Sequence, residues 1–197
     1  MHGIVSISGT SRPGNFTSRA LAIVNDELKR HGSAPEVFDA RDLTFSFPGL
    51  APTDDAARLE QAIRAATGVV IATPEYHGSF SSMTKLILES LGFPSALAGK
   101  PVALVGVAAG RIGAIKSLEQ LRGVCSHVGA LVLPGSVSIA GVQQAFDADG
   151  NCVDEEAEVA LRGIAGSLLE FIENYICPKF ALEALAREDV TSWTSSV

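Results

Sequence analysis

Ten consecutive residues, Gly9-Thr10-Ser11-Arg12-Pro13-Gly14-Asn15-Phe16-Thr17-Ser18, gather the side chains that hold a phosphate. Thr10, Ser11, Thr17 and Ser18 carry hydroxyls, Asn15 an amide and Arg12 a positive charge. The glycines let the backbone turn and approach a ligand closely. A helix opening at this point adds unpaired N–H groups and a favourable dipole, with Phe16 inside the same turn. Because Arg12 supplies charge, a phosphate here needs no metal. Gly9 and Gly14 have the separation of a P-loop, but Asn15-Phe16 stand where its lysine and magnesium-binding hydroxyl belong. The patterns G-x-G-x-x-G and G-x-S-x-G are absent as well. The segment reads as a phosphate cup without phosphoryl-transfer machinery; the plainer alternative is a strand–helix turn with capping hydroxyls.

A second segment, Thr73-Pro74-Glu75-Tyr76-His77-Gly78-Ser79, suits a flat ring. Pro74 fixes the chain direction, and Tyr76 can pack beside a heterocycle. The backbone N–H groups from Glu75 to Gly78 can face a ring's carbonyl edge. His77 has two readings, an acid–base group or a residue that shapes the loop, and Glu75 reads as a loop anchor. A third segment, Ala108-Ala109-Gly110-Arg111-Ile112-Gly113, is small enough at Ala109 and Gly110 for a ring edge to approach. Arg111 is either a ligand-facing cation or a solvated loop arginine. No residue is assigned a catalytic role.

These segments need a frame. Short β-branched runs at Ile4–Ile7, Glu36–Phe38, Val69–Ala72, Val102–Val107 and Leu131–Leu133 read as strands. The first, third and fourth are apolar nearly throughout, as in a parallel sheet covered on both faces. Between them run helical stripes: Leu21, Val24 and Leu28; Leu59, Ala62, Ile63 and Ala66; Met83, Ile87 and Leu91; Ile115, Leu118, Leu121 and Cys125. The longest steps through Ala157, Leu161, Ile164, Leu168, Phe171 and Tyr175. Thr53, followed by two aspartates, predicts a helix start, and Pro178 predicts the end of the last helix. Residues 135–153 read as a polar connection. The order predicts an α/β fold in three layers, with one domain over residues 1–177 and a tail over 178–197 that is a short helix, disorder or an arm onto a neighbouring subunit. In such sheets, ligands sit outside the carboxyl ends of the strands. The three segments above follow strands one, three and four.

Composition narrows the function. Of the 197 residues, 47% are apolar and 19% charged, enough for a sizeable core. The net charge of −7 disfavours a nucleic-acid partner. The three cysteines, Cys125, Cys152 and Cys177, lack disulfide or metal-ligand spacing, so a reducing, cytoplasmic setting and no bound metal are expected. Met1-His2-Gly3 runs into a strand without the pattern of a signal peptide, and no apolar run is long enough to span a bilayer.

The motifs resemble those of the NADPH-dependent FMN reductases and their azo-dye, quinone and chromate reductase relatives. The family's first loop, G-S-x-R-x-x-S-x-N, is matched at Gly9 and Arg12, with Thr10 for serine and with Asn15 and Thr17 in place of the later Ser and Asn. Its second motif, P-E-Y-N-G-S followed by K-x-x-L-[DE], is matched by Pro74-Glu75-Tyr76-His77-Gly78-Ser79 and then Lys85, Leu88 and Glu89; only His77 departs. A third, small-residue loop leading to Q-L-R is matched by Gly110, Gly113 and Gln120-Leu121-Arg122. The resemblance spans roughly residues 3–175. It implies a flavodoxin-like five-stranded parallel sheet in the order 2-1-3-4-5. It also implies FMN, held at its phosphate end by Thr10, Ser11, Arg12, Asn15, Phe16, Thr17 and Ser18 and at its ring end by Pro74, Glu75, Tyr76, His77, Gly78, Ala109 and Gly110. NADPH or NADH then gives electrons through FMN to a small-molecule acceptor such as a flavin, quinone, azo compound or metal oxyanion. A homodimer or homotetramer is implied, with the helix carrying Met83, Leu86, Ile87, Leu88 and Leu91 at the interface. The alternative is a flavodoxin-like electron carrier or flavin-binding module without enzyme activity.

Overall fold

The strands of this computed structural model alternate their side chains between two apolar layers, which follows from the period-two geometry of extended chain. The structure describes residues 2–194. In chain order the elements are β1 (Ile4–Ser8), α1 (Phe16–Arg30), β2 (Glu36–Asp39), α2 (Asp54–Ala65), β3 (Gly68–Tyr76), β4 (Ser79–Phe80), α3 (Ser82–Glu89), β5 (Pro101–Val107), α4 (Ile115–His127), β6 (Leu131–Val132), β7 (Val137–Ile139), α5 (Val142–Ala145), α6 (Glu155–Phe171), a π-helical turn (Ile172–Ile176) and α7 (Cys177–Thr194). Ile4, Val70, Ala103 and Val105 face α1 and α6, while Val5, Val69, Val102 and Leu104 face α2, α3 and α4. Burying a side chain of this size contributes about 1.5–3 kcal/mol, so the two layers hold the sheet between the helices.

The parallel ladder runs β2-β1-β3-β5-β6, with β4 folded back antiparallel on β3. Counting only the parallel strands in chain order, this is the expected 2-1-3-4-5 arrangement. Thr53 caps α2 as predicted, its hydroxyl accepting from the Ala56 N–H.

Five expectations are corrected. The fifth strand is broken in two. Val132 pairs with Val102 and Val137 with Val105, so residues 133–136 stand opposite only Ala103 and Leu104. Pro134, which has no N–H to give the ladder, lies in that break. Residues 135–153 are therefore not one irregular connection but hold β7 and the short α5. Pro178 does not end the last helix: the wide turn at Ile172–Ile176 shifts the hydrogen-bond register, the Cys177 N–H reaching the Ile172 carbonyl, and the chain resumes as α7 with Pro178 in its first turn. Tyr175, stacked on Phe171 with ring centroids 5.0 Å apart, is exposed to solvent and not buried, and Ile115, in the first turn of α4, is likewise exposed. Residues 195–197 of the predicted tail lie outside the described residues.

Candidate functional site

The site forms where β1, β3, β5 and β7 deliver their following segments to one edge of the sheet. Gly9 must be glycine for packing: a Cβ there would stand 2.0 Å from the Thr84 Oγ1 and 3.0 Å from the Ala72 carbonyl oxygen. The Gly9 carbonyl accepts from both the Ser81 hydroxyl and, at 3.0 Å, the Thr84 hydroxyl, which also bonds Thr73 Oγ1 at 3.0 Å. This buried hydroxyl cluster ties the first loop to the β3–β4 hairpin. The loops also meet at the surface, where Thr10 Oγ1 lies 3.4 Å from the Tyr76 phenol oxygen.

Asn15 caps α1, its Oδ1 accepting from the Ser18 N–H at 2.7 Å, while its Nδ2 donates to the Arg12 carbonyl at 2.8 Å. Its amide thus organises the loop. The Ser18 hydroxyl is turned toward β2, 2.9 Å from Ser8 Oγ and 3.1 Å from Asp39 Oδ2. Burial acts to raise the Asp39 pKa, but hydrogen bonds from Arg41 and Ser18 outweigh it and hold the carboxyl below its ordinary range. Thr17 is different. It is buried, and its hydroxyl has no hydrogen-bond partner among the described residues. The Arg12 guanidinium likewise has no ion pair among them.

The hairpin turns through His77 and Gly78, with φ of 51° and 75°. Two successive left-handed residues make the type I′ turn that suits a two-residue hairpin. Histidine is among the few non-glycine residues that tolerate this region. Gln120 of α4 fixes the turn, donating to the Gly78 carbonyl at 2.9 Å and accepting from the Ser79 hydroxyl at 2.7 Å. Glu75 Oε2 accepts from the Ser117 N–H at 3.1 Å, and Ser138 Oγ accepts from the Ala114 N–H at 2.8 Å. Together they supply the capping that α4's own N-terminal residue lacks. Arg122 turns back to the broken strand, its guanidinium donating to the Val132 and Leu133 carbonyls and to Ser136 Oγ.

These elements enclose a cavity of about 360 Å³, within the range of small-molecule sites. Of the sequence-predicted residues, Arg12, Asn15, Phe16, Thr17, Pro74, Glu75, Tyr76 and Ala109 line it. Thr10 abuts it through Tyr76. Ser11, Ser18, His77, Gly78 and Gly110 are not among its walls. Val142 and Gln143 line it and are missed by sequence reasoning. They arrive because Gly141 N–H bonds the Gly110 carbonyl and Val142 N–H the Ala108 carbonyl, folding α5 over the third loop. The signal was Gly141 followed by a short helical run after Val137–Ile139, hidden by the strand break.

A second, more open groove of about 610 Å³ lies on the far side of Asn15, along Arg19, Ala22 and Asp26. Most of its charged walls are already paired, Arg162 with Asp26 and Glu158, and Arg41 with Asp39. The smaller cavity, with its unengaged Arg12 and Thr17, is the better candidate. No cluster of three or more metal-ligating side chains occurs among the described residues, and no helix there is long and apolar enough to cross a membrane.

Comparison with known proteins bears on this geometry. The family model for NADPH-dependent FMN reductases matches residues 3–144. An NAD(P)H-dependent FMN reductase of Pseudomonas aeruginosa is 32% identical over 166 residues, covering 78% of this chain and 86% of its own. The NADH:(hydroxy)cinnamate reductase subunit of Vibrio ruber is 32% identical over 159 residues, covering 74% and 77%. Among solved structures, the flavoenzyme NAD(P)H:(acceptor) oxidoreductase of Paracoccus denitrificans superposes with a TM-score of 0.73 at 23% identity, covering 89% of this chain and 99% of that one. An archaeal flavodoxin superposes at 0.59 with 12% identity, covering 88% and 100%. The structural likenesses establish the flavodoxin-like fold.

Proposed function

The chain belongs to the NADPH-dependent FMN reductase family, and from that membership we propose that the cavity bounded by the first loop, the hairpin and the Ala108–Ala109 loop is its flavin site. Family membership makes the protein an oxidoreductase that uses NADPH or NADH as electron donor and FMN as cofactor, rather than a bare carrier.

The observation that carries the assignment is that Thr17 and Arg12, at the mouth of α1, both line the cavity with no hydrogen bond or ion pair from their side chains among the described residues, the Thr17 hydroxyl being open to the cavity and not sealed in the core. The N–H groups at the start of α1 have no intrahelical acceptor, and only that of Ser18 is taken by Asn15. A phosphate monoester meets all of these donors at once. At the other end, Pro74, Glu75 and Tyr76 line the cavity together with the small Ala108 and Ala109, whose side chains leave space for a planar ring. The residues fit FMN. When bound, FMN supplies the two-electron chemistry. The protein's part is to fix that ring against the hairpin and leave room for a second flat molecule, a positioning effect able to supply much of the rate. Ser11, His77, Gly78 and Gly110 shape the loops in this reading, and Ser18 braces the cup through Asp39.

We further place the protein in the cytoplasm, where Cys125, Cys152 and Cys177 stay as the free thiols the structure holds. We place a homodimer contact on the face that carries the fully exposed Phe93 beside an apolar groove lined by Leu88, Pro94 and Val124. Light scattering on wild type and on Phe93→Ser tests the contact; a monomeric wild type excludes it.

Titration with FMN and with riboflavin tests the cup. FMN is expected to bind at least tenfold more tightly, and Arg12→Gln to abolish most of that difference. Anaerobic addition of NADPH or NADH is expected to bleach the flavin absorbance. Equal affinity for the two flavins, or no bleaching with either donor, refutes the assignment.

A further inference from the structure

The chain has fifteen lysines and arginines, and the structure engages nearly all of them. Arg30, Arg41, Arg58, Arg64, Lys85, Arg162 and Lys179 pair with carboxylates. Arg19, Lys100 and Arg122 donate to backbone carbonyls. Lys29 lies in the field of Asp26, and Arg187 is also engaged. That leaves Arg12, Arg111 and Lys116 as the cations whose side chains have no ion pair, no hydrogen bond and no such electrostatic partner among the described residues. All three belong to segments at the carboxyl edge of the sheet that frame the cavity.

The geometry places two of them away from the phosphate cup. The Gly110 carbonyl accepts from both the Gly113 and Gly141 N–H groups, so Arg111 and Ile112 form the tip of a tied turn beyond the cavity-lining Ala109. The Lys116 side chain crosses the hairpin, its Cδ 3.6 Å from the point where a Gly78 Cβ would stand. Lys116 also sits in the first turn of α4, where a cation opposes the helix dipole and the acid at the helix start is Glu75 of the hairpin, bonded to the Ser117 N–H. Between the two cations, Ile112 and Ile115 are 73% and 47% exposed. This stretch of rim thus exposes two isoleucines between two cations that have no ion pair among the described residues.

We infer that Arg111 and Lys116 form a substrate-recognition site for planar aromatic molecules carrying an anionic group, a carboxylate, sulfonate or phosphate. This rests on the flavin-site reading above. The isoleucines cover the ring and the cations hold the anion, steering it to the cavity mouth. Two sources share this chemistry: the phosphates of the nicotinamide dinucleotide, and an anionic group on the acceptor.

Calorimetric titration of the FMN-loaded protein separates them, using NADP⁺, 1,2-naphthoquinone-4-sulfonate and neutral 1,4-naphthoquinone as probes. For the Arg111→Gln/Lys116→Gln double variant, binding of at least one anionic probe is expected to weaken about 20-fold, with the neutral quinone changed less than twofold. Lys116→Arg is expected to keep wild-type affinity. Raising salt is expected to weaken the anionic probe in wild type and not in the double variant. Weakening confined to NADP⁺ assigns the site to the dinucleotide, and weakening confined to the sulfonate assigns it to the acceptor. An unchanged ratio of anionic to neutral affinity, or no binding of either anion to wild type, overturns the inference. The same probes titrated without FMN read the rim directly. A chain that takes up no FMN therefore defeats the flavin site, while lost charge discrimination defeats the rim.

Discussion

The carboxylate of Glu75 accepts a hydrogen bond from the backbone N–H of Ser117 at 3.1 Å. A hairpin residue thereby closes the N-terminus of α4, a helix whose own cap residue, Ala114, offers no side-chain acceptor. Removing it is expected to cost about 1 kcal/mol, the usual worth of a cap with a favourable dipole term. Glu75→Ala is expected to show this loss in urea unfolding and to weaken FMN binding. Glu75→Gln, which keeps an acceptor oxygen, is expected to lose less than half as much.

His77 holds φ at 51° in the hairpin turn. Asn tolerates that backbone at least as well, whereas a β-branched residue is strained there by about 1–2 kcal/mol. His77→Asn is therefore expected to keep stability and turnover within twofold, and His77→Val to unfold at lower urea. A hundredfold fall in turnover for His77→Asn, with an altered pH profile, would instead assign the imidazole to proton transfer.

Gly9→Ala forces a methyl group against Thr84 Oγ1 and the Ala72 carbonyl. Overpacking of this kind costs about 1–3 kcal/mol. Adding Thr84→Ala is expected to recover only part of it, because the backbone oxygen remains and the bond to the Gly9 carbonyl is lost. Thermal unfolding of the two variants checks the order.

Arg122→Met leaves the carbonyls of the broken fifth strand without their guanidinium. Losing buried acceptor partners costs about 1–3 kcal/mol. The variant is expected to be destabilised by that order and to bind FMN more weakly, since the strand break leads into β7 and the Val142–Gln143 wall. Unchanged FMN affinity would show that this wall is set independently.

Burial pushes the Cys125 thiol up to about 12, with Arg122 opposing weakly. In the unfolded chain the thiol ionises near 8.5. Its contribution to stability is therefore full below that pH and is lost as pH rises through the window toward 12. Cys125→Ala is expected to flatten the alkaline part of the stability profile. At pH 8 a thiol reagent is expected to label the exposed Cys177 in the native protein and Cys125 only after unfolding.

Much of the architecture was legible in residue order. The runs Ile4–Ile7, Val69–Ala72 and Val102–Val107 are continuous apolar segments because they are buried on both faces, and helix-periodic stripes separate them. That pattern leaves few alternatives to a parallel sheet wrapped by helices. The Pro74–Ser79 segment was legible for a related reason. A tight hairpin restricts its residue types locally, so its motif survives as a string.

Tertiary structure decided what each of those residues does. Asn15 and Ser18 read as ligand donors, yet Asn15 caps α1 and Ser18 turns to Asp39, because their partners lie at a distance no spacing reports. Gly9 read as freedom for a turn, yet it is required by Thr84, 75 residues away. Val142 and Gln143 were invisible because Pro134 breaks the strand that would have announced them. Sequence encodes what is set by neighbours along the chain, namely periodicity, turns and caps. Which donors remain unspent among the described residues, as on Arg12 and Thr17, depends on long-range pairing in three dimensions, and that pairing marks out the candidate site.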